Sequence, residues 1–185
     1  MTARPAPHRF SVTLYEKMID DGILKEDDRV ELIRGEIVAK MPIGKQHAAC
    51  VKRINRLFNS LLGTQAVVSV QDPIKFADSE PEPDIALLVL KGDYYASDIP
   101  TPADVLLIVE VADSSLEYDR EVKGALYAEA GIAEYWIVNL VDGCVDVYRQ
   151  PRADGTYADV RAVKSGDTIH LSALPSVGVA VAEIL

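Results

Sequence analysis

The sequence predicts a single α/β domain in which a buried sheet is covered by helices. Two strongly apolar runs, at 83–89 and 105–111, are bounded by proline and polar residues, as buried strands are. Segments with the apolar spacing of amphipathic helices occur before and after them. No linker, repeat or low-complexity tract divides the 185 residues. We therefore expect one domain across 1–185, with 1–9 as a short flexible lead.

The composition is that of an ordinary globular protein. Hydrophobic residues make up 49% of the chain and charged residues 26%. No apolar run approaches the length that spans a bilayer, and the N-terminus lacks the hydrophobic core of a signal peptide. Cys50 and Cys144 show neither metal-ligand spacing nor a disulfide framework. These features predict a cytoplasmic protein without a membrane partner.

The first elements are a helix and a hairpin. Thr13 and Glu16 have capping-box spacing and Gly22 suits a helix end, so we expect a helix across 14–21. Strands at 29–33 and 36–39 flank an Arg-Gly turn. Glu31 alternates with apolar neighbours in the first of these strands, which by itself favours a solvent-facing side chain.

A basic amphipathic helix is predicted across 47–62. Lys52 and Arg56 lie four residues apart with Arg53 beside them, and no Asp or Glu occurs from 37 to 71, although the formal net charge of the chain is −10. This face is either merely solvated or faces phosphates, and the residues leave both open. His47 begins the helix, where a lone histidine is more often a structural hydrogen-bonding group than a ligand.

The middle of the chain alternates short strands and loops. Strands are predicted at 66–70 and 73–76, followed by an acidic, proline-spaced loop that leads to Asp84. The segment 91–102 is polar and rich in turn residues, so we expect a surface excursion that carries Tyr94 and Tyr95.

A second helix and a group of hairpins complete the prediction. Apolar spacing predicts a helix across 119–130 that ends at Gly131, with Lys123 and Tyr127 on an adjacent face. A strand at 134–140, an Asp-Gly turn and a strand at 144–149 follow. A further turn at 153–155 leads into a tail of short strands and loops.

Two carboxylates stand at the ends of the apolar runs. Asp84 begins the first run and Glu110 nearly ends the second, where a sheet presents side chains to a cleft. A charge in such surroundings is costly unless it is paired or bound to a metal. Carboxylate oxygens suit Mg²⁺ or Mn²⁺, which can activate water and stabilise charge on a phosphate. Alternatively, Asp84 caps a turn and Glu110 forms a buried ion pair with Arg120 or Lys123.

An ordered set of motifs resembles the Uma2 family, a bacterial group of restriction-endonuclease-like proteins. No single motif is specific to the family, but the ordered set of motifs is. The resemblance extends from about Phe10 to the C-terminus. The motifs are 31–37, His47 at a helix start, 83–86, 109–111, 119–123 and 131–138.

The resemblance implies a PD-(D/E)xK nuclease fold, an α/β (α+β) architecture with a mixed central sheet flanked by helices. It implies that Asp84 and Glu110 are metal ligands, with the Val111 carbonyl beside them. It also implies that Lys123 is the catalytic lysine and that Glu31 is an additional acidic residue. The chain departs from the wider superfamily at Ala112, where the usual pattern has lysine.

The function expected from this resemblance is a metal-dependent endonuclease acting on DNA, most simply duplex DNA, with Mg²⁺ or Mn²⁺ as cofactor. Lys52, Arg53 and Arg56 are then the candidates for nucleic-acid binding. Two alternatives are a non-catalytic nucleic-acid-binding or regulatory module on the same fold and an enzyme acting on another phosphate ester.

A homodimer is also expected. Cutting both strands of a duplex needs two active sites or a rebinding step, and one chain supplies one site. Closed two-fold dimers are the commonest oligomers. Its candidate contact residues are Tyr94, Tyr95 and the apolar run 177–185.

Overall fold

A six-stranded mixed sheet forms the centre of the protein in a computed structural model, which describes residues 7–185. The strand order is β3-β4-β5-β6-β7-β8, and neighbouring strands are antiparallel except β5 and β6. The predicted mixed sheet flanked by helices is confirmed. The strands of this sheet are β3 (Ala66–Ser69), β4 (Ile85–Val89), β5 (Val105–Ala112), β6 (Glu134–Asn139), β7 (Cys144–Pro151) and β8 (Tyr157–Lys164).

Helices cover both faces of the sheet. The helices are α1 (Val12–Asp20), α2 (Lys45–Leu62), α3 (Leu116–Tyr118), α4 (Gly124–Glu129) and α5 (Val181–Ile184). Within 7–185, none is both long and apolar enough to cross a membrane. In β5, Val109 and Val111 belong to the core that includes α2, whereas Ile108 packs with α4 on the opposite face. Because side chains alternate along a strand, Glu110 faces α4.

One continuous helix connects the parallel strands β5 and β6, which need such a crossover. It runs through α3, a π-helical segment (Asp119–Lys123) and α4, and it begins three residues before the predicted start. Gly131, with a φ of 78°, ends it as predicted. Single π-helical turns are rare and often occur at functional sites.

The first helix begins earlier than its predicted capping box. The Ser11 hydroxyl accepts a hydrogen bond from a first-turn amide at 3.2 Å, so the helix starts at Val12. The prediction that Thr13 caps it is therefore wrong. Glu16, its expected capping partner, forms an ion pair with Lys75 instead.

The predicted hairpin is confirmed as β1 (Val30–Ile33) and β2 (Glu36–Ala39). Arg34 and Gly35 both adopt positive φ angles, 51° and 75°, in its two-residue turn. The chain before α1 lies against this turn, where the Phe10 amide donates to the Gly35 carbonyl at 2.8 Å. Residues 1–6 of the expected lead lie outside the described residues.

The predicted strand at 73–76 is wrong. This segment is irregular because its amides donate to loops rather than to a neighbouring strand. Ile74 donates to the Pro81 carbonyl at 2.9 Å and Lys75 to the Pro100 carbonyl at 2.8 Å. The strand before it, β3, is confirmed and pairs with β4.

The C-terminal run is part of the core. Strands β9 (Thr168–His170) and β10 (Gly178–Ala180) form a separate two-stranded sheet, and α5 follows. The apolar side chains of this run pack in the core beside α2, so the prediction that it offers an exposed dimer surface is wrong. Of the other candidates, Tyr94 is exposed and Tyr95 is partly buried.

We expect Glu80, a buried carboxylate beside β1, to make stability fall as the pH rises. Burial, with the charge of Glu16, raises the pKa of Glu80 from 4.5 to about 7, although Lys75 opposes the shift. The folded protein then holds this proton more tightly than the unfolded chain does, so the stabilisation that is present below pH 4.5 disappears by about pH 7. Glu80→Gln should therefore stabilise the protein more at pH 8 than at pH 4.5. The effect of the substitution on the unfolding free energy should differ between the two pH values by up to about 3 kcal/mol.

Urea unfolding of both proteins at the two pH values measures this effect, with the exposed Glu183→Gln as the matched control. An equal effect of Glu80→Gln at both pH values would contradict the expectation.

Candidate functional site

A cleft of about 300 Å³ opens where β4 begins and β5 ends. Its walls come from the β1–β2 hairpin, the segment leading into α2, and the crossover helix. The structure brings together in this cleft all the residues for which the sequence predicted catalytic or metal-binding roles. They are Glu31, Asp84, Glu110, Val111 and Lys123.

The Asp84 carboxylate is held by donors from three directions. Its Oδ2 lies 2.9 Å from His47 Nε2 and accepts the Val111 amide at 2.9 Å, and its Oδ1 accepts Gln71 Nε2 at 3.1 Å. Burial by itself raises the pKa of Asp84, but these partners outweigh it and keep the pKa below its ordinary value. The carboxylate is therefore ionised at neutral pH.

The Glu110 carboxylate lies at the centre of the cleft floor. Its Oε1 accepts hydrogen bonds from Lys123 Nζ at 2.9 Å and from the Tyr127 hydroxyl at 2.8 Å. Its Oε2 lies 3.3 Å from the Asp84 amide nitrogen, which donates to it. Burial raises the pKa of Glu110 to about 8 although the Lys123 charge opposes it. The Lys123 charge therefore does not fully offset the cost of burying a charge on Glu110.

Lys123 bridges two acidic residues. Its Nζ lies 2.9 Å from Glu110 Oε1 and 3.4 Å from Glu31 Oε2. Burial lowers the pKa of Lys123, but these carboxylates raise it above its ordinary value, so the side chain is cationic. The ion pair that the sequence left open for Glu110 is thus present with Lys123, whereas Arg120 pairs with Asp146.

Glu31 is buried, so the interpretation of this residue as a solvent-facing strand residue is wrong. The hairpin lies against the loop before β4, where the Glu80 amide donates to the Leu32 carbonyl at 2.7 Å. On the face of β1 that the sequence pattern alone assigned to solvent, the Glu31 side chain enters the cleft. The Glu31 Oε2 accepts the Glu82 amide at 3.2 Å as well as contacting Lys123.

Asp119 is a cleft residue that was not predicted from the sequence. It opens the π-helical segment, lines the cleft and accepts a hydrogen bond from the Ser115 hydroxyl at 2.5 Å. Burial raises the pKa of Asp119 to about 6, although the Ser115 hydrogen bond opposes the shift. The only signal was its place in the 119–123 motif, where it had the position of an ordinary helix-start residue.

Three further polar residues of the cleft had little or no signal in the sequence. His47 was noticed only because it starts a helix. Gln71, with a φ of 58°, is turned toward Asp84 by its loop conformation. Tyr118 lines the cleft from the last residue of α3.

The cleft fits a small divalent cation in charge and in donor chemistry. Its lining residues carry five carboxylates against three Lys or Arg side chains. Asp84 and Glu110 each accept three hydrogen bonds, and a carboxylate has about four lone-pair sites, so each retains acceptor capacity. Across 7–185, no group of three or more His, Cys, Asp or Glu residues is arranged to hold a metal. The pair suits Mg²⁺, which takes few protein carboxylates and keeps several waters.

The predicted nucleic-acid-binding residues lie outside the cleft. Lys52, Arg53 and Arg56 are exposed on α2 and do not line it. They follow His47 by five to nine residues, which corresponds to about 8–14 Å along the helix axis. At 3.6 residues per turn they also lie about 120–180° around the helix from His47, so the basic face and the cleft are separate surfaces.

Comparisons with known proteins agree with this architecture. A solved structure described as "a putative nuclease belonging to DUF820 from Anabaena variabilis ATCC 29413" superposes with a TM-score of 0.71, covering 89% of this chain and 95% of the other. The two sequences are 16% identical, so the likeness shows the fold. No curated protein sequence matches the chain. The family model described as "Uma2: Putative restriction endonuclease" matches residues 12–182. The chain therefore belongs to the Uma2 family, as its motifs predicted.

Proposed function

We propose that this protein is a divalent-metal-dependent DNA endonuclease that hydrolyses phosphodiester bonds. The observation that carries the proposal is the convergence of Asp84, Glu110 and Lys123 in one buried cleft. The descriptions of the family and of the Anabaena protein support a nuclease-like activity. Cleavage of end-labelled DNA by the wild-type protein in Mg²⁺, and its loss in EDTA, tests the proposal.

Asp84 and Glu110, with the Val111 carbonyl, are the groups that would hold Mg²⁺ or Mn²⁺. The excess of carboxylates over cations in the cleft supports this assignment, because a bound divalent cation would offset it. When bound, such an ion lowers the pKa of water and neutralises charge on a phosphate oxygen.

Lys123 is the residue that would orient the nucleophile. Hydrolysis forms a P–O bond to the oxygen of water and breaks the P–O bond to the leaving sugar oxygen. An ammonium fixed beside this reaction can position the water and oppose the charge that develops on the phosphate. Glu31 and Glu110 fix that ammonium, at 3.4 and 2.9 Å, so Glu31 assists by positioning Lys123.

The exposed face of α2 is the proposed contact for the DNA backbone. Its three cations, Lys52, Arg53 and Arg56, project from a protein with a formal net charge of −10. The acids of this protein would otherwise repel DNA, so a local cationic face is where phosphates can approach. Duplex DNA is the expected form at this face.

We expect Lys52→Ala with Arg56→Ala to weaken DNA binding and reduce its salt dependence. Each lost phosphate contact should flatten the slope of log K against log salt by about 0.9 for duplex DNA. Fluorescence anisotropy titrations at several salt concentrations measure the slope. An unchanged slope would mean that this face is merely solvated. The exposed Lys164→Ala, on β8, is the matched control.

A non-catalytic nucleic-acid-binding or regulatory module is the second candidate function. The favouring observation is that Lys123 is held in a buried ion-pair network, a role that is structural in many proteins. Under this alternative, DNA binding persists in EDTA and no preparation cleaves DNA in Mg²⁺ or Mn²⁺.

The assembly and location of the protein stay predictions. A two-fold homodimer would supply one site for each strand of a duplex. Its contact would have to lie away from the C-terminal run, which is buried, and Tyr94 remains exposed. A cytoplasmic location would place the enzyme with its DNA substrate.

A further inference from the structure

The open acceptor sites of the two proposed metal ligands can be assigned to single oxygens. Asp84 Oδ2 already contacts His47 Nε2 and the Val111 amide, both at 2.9 Å. Among the described residues, Asp84 Oδ1 accepts one hydrogen bond, from Gln71 Nε2 at 3.1 Å. Since each carboxylate oxygen has about two lone-pair sites, Oδ1 is the oxygen of Asp84 that is open to a cation. By the same count, Oε2 is the open oxygen of Glu110.

Gln71, the donor to this open oxygen of Asp84, has an unusual backbone conformation. Its φ of 58° lies in the left-handed region, which a residue such as glutamine rarely adopts. The Gln71 amide donates to the carbonyl of Pro83, the residue directly before Asp84, at 3.1 Å. Strained residues of this kind persist where the surrounding structure holds them, and they cluster at ligand-binding sites. The backbone of Gln71 is thus fixed to the segment that carries Asp84.

The Gln71 side chain orients Asp84 without neutralising it. Gln71 lines the cleft and is partly buried. Its amide group is uncharged, so the hydrogen bond to Oδ1 leaves the negative charge of the carboxylate available to a cation. An ammonium in the same place would compete with the cation for that charge. In metal sites, groups that hydrogen-bond to a ligating carboxylate fix its orientation and are needed for full metal affinity.

We infer that Gln71 is a positioning residue of the proposed metal site, whose amide holds Asp84 Oδ1 in the orientation that a divalent cation requires. The inference rests on the proposed function and adds a residue to it. The strained backbone of Gln71 is part of this arrangement, because it turns the side chain toward Asp84. Gln71 acts through Asp84 and is not itself a ligand.

Calorimetric titration of Mn²⁺ into Gln71→Met tests the inference. This substitution removes the amide donor but keeps the length of the side chain and leaves the backbone strain in place. Loss of a group that orients a metal ligand typically lowers affinity about 10–100-fold, and we expect a loss in this range. The matched control is Gln150→Met, since Gln150 is exposed on β7 and has a φ of 59°. Its Mn²⁺ affinity should equal that of the wild type.

Gln71→His separates positioning from a merely structural role. Histidine is found more often than most residues at positive φ, and its Nε2 lies four bonds from Cα, as the amide nitrogen of glutamine does. At pH 8 this variant should recover Mn²⁺ affinity to within about threefold of the wild type. A structural role would change thermal stability but not the Mn²⁺ affinity of the folded protein. If Gln71→Met fails to fold, Gln71→Gly removes the same amide while relieving the strain, with Gln150→Gly as its control.

The outcomes separate the inference from the proposed function. Wild-type Mn²⁺ affinity in Gln71→Met or in Gln71→Gly would overturn the inference and leave the metal-dependent nuclease proposal in place. A loss of affinity that Gln71→His does not recover would also overturn it, because the hydrogen-bond donor would then not be the cause. A wild-type protein that binds no Mn²⁺ would overturn both the inference and the proposed function.

Discussion

Lys123→Met is expected to reduce the rate of DNA cleavage at least about a hundredfold. The substitution keeps most of the side-chain volume but removes the ammonium that lies 2.9 Å from Glu110. Losing one preorganised charge beside a developing negative charge typically costs about a hundredfold or more in rate. Metal binding should survive, because an ammonium has no lone pair and is not a ligand. Single-turnover cleavage in Mg²⁺ measures the rate, and calorimetric titration measures the metal affinity.

Burial of the Lys123 ion pair means that the same substitution also affects stability. A lysine on a helix face outside the apolar stripe, as the sequence predicts for Lys123, could be removed with little loss of stability. The structure places Lys123 between two buried carboxylates, and removing one partner of a buried pair typically costs about 3–5 kcal/mol. Circular dichroism and thermal unfolding therefore accompany the rate measurement. Lys123→Arg should restore much of the stability, and the exposed Lys164→Met should change neither property.

Asp84→Asn is expected to lose metal affinity and cleavage together. The substitution keeps the shape of the side chain but removes a charged oxygen ligand. One of the two oxygens becomes an NH2 group, which cannot accept the hydrogen bond that Oδ1 takes from Gln71 or the one that Oδ2 takes from the Val111 amide. We expect Mn²⁺ affinity to fall at least about tenfold, since metal sites of this kind are tuned by ligand charge. Calorimetric titration of Mn²⁺ into both proteins measures the loss, with the exposed Asp167→Asn as control.

The two substitutions together separate the roles. If Lys123→Met cleaves like the wild type while Asp84→Asn is inactive, the metal site stands and the assignment of the lysine is wrong. If neither change affects cleavage, the observed activity comes from a contaminant, and the binding-module alternative replaces the nuclease proposal.

The central strands were predictable because they are buried on both faces. Continuous apolar runs identify β4, β5 and β6, and the Arg-Gly and Asp-Gly turns locate two hairpins. Local sequence patterns gave wrong predictions of burial where contacts between distant segments determine which side chains are exposed. The C-terminal run was interpreted as an exposed apolar surface because the sequence does not show that it packs in the core beside α2. Glu31 alternates like a solvent-facing residue, but its side chain enters the cleft, where Lys123 of the distant crossover helix lies 3.4 Å away.

The candidate site was predictable to the extent that it lies on regular elements. Asp84 and Glu110 stood out as charges at the ends of apolar strands, and the family resemblance singled out Lys123. Asp119 was missed because a π-helical turn brings it into the cleft, and side-chain spacing along an α-helix does not anticipate such a turn. Gln71 was missed because its orientation depends on a loop residue with positive φ.

The central claim is that Asp84 and Glu110 together hold a divalent cation in this cleft. Anomalous diffraction from Mn²⁺-soaked crystals of the wild-type protein and of Asp84→Asn tests it most directly. We predict an anomalous peak between these two carboxylates in the wild type and its absence in the variant. A wild-type map without a peak there, or a peak that persists unchanged in Asp84→Asn, would contradict the claim.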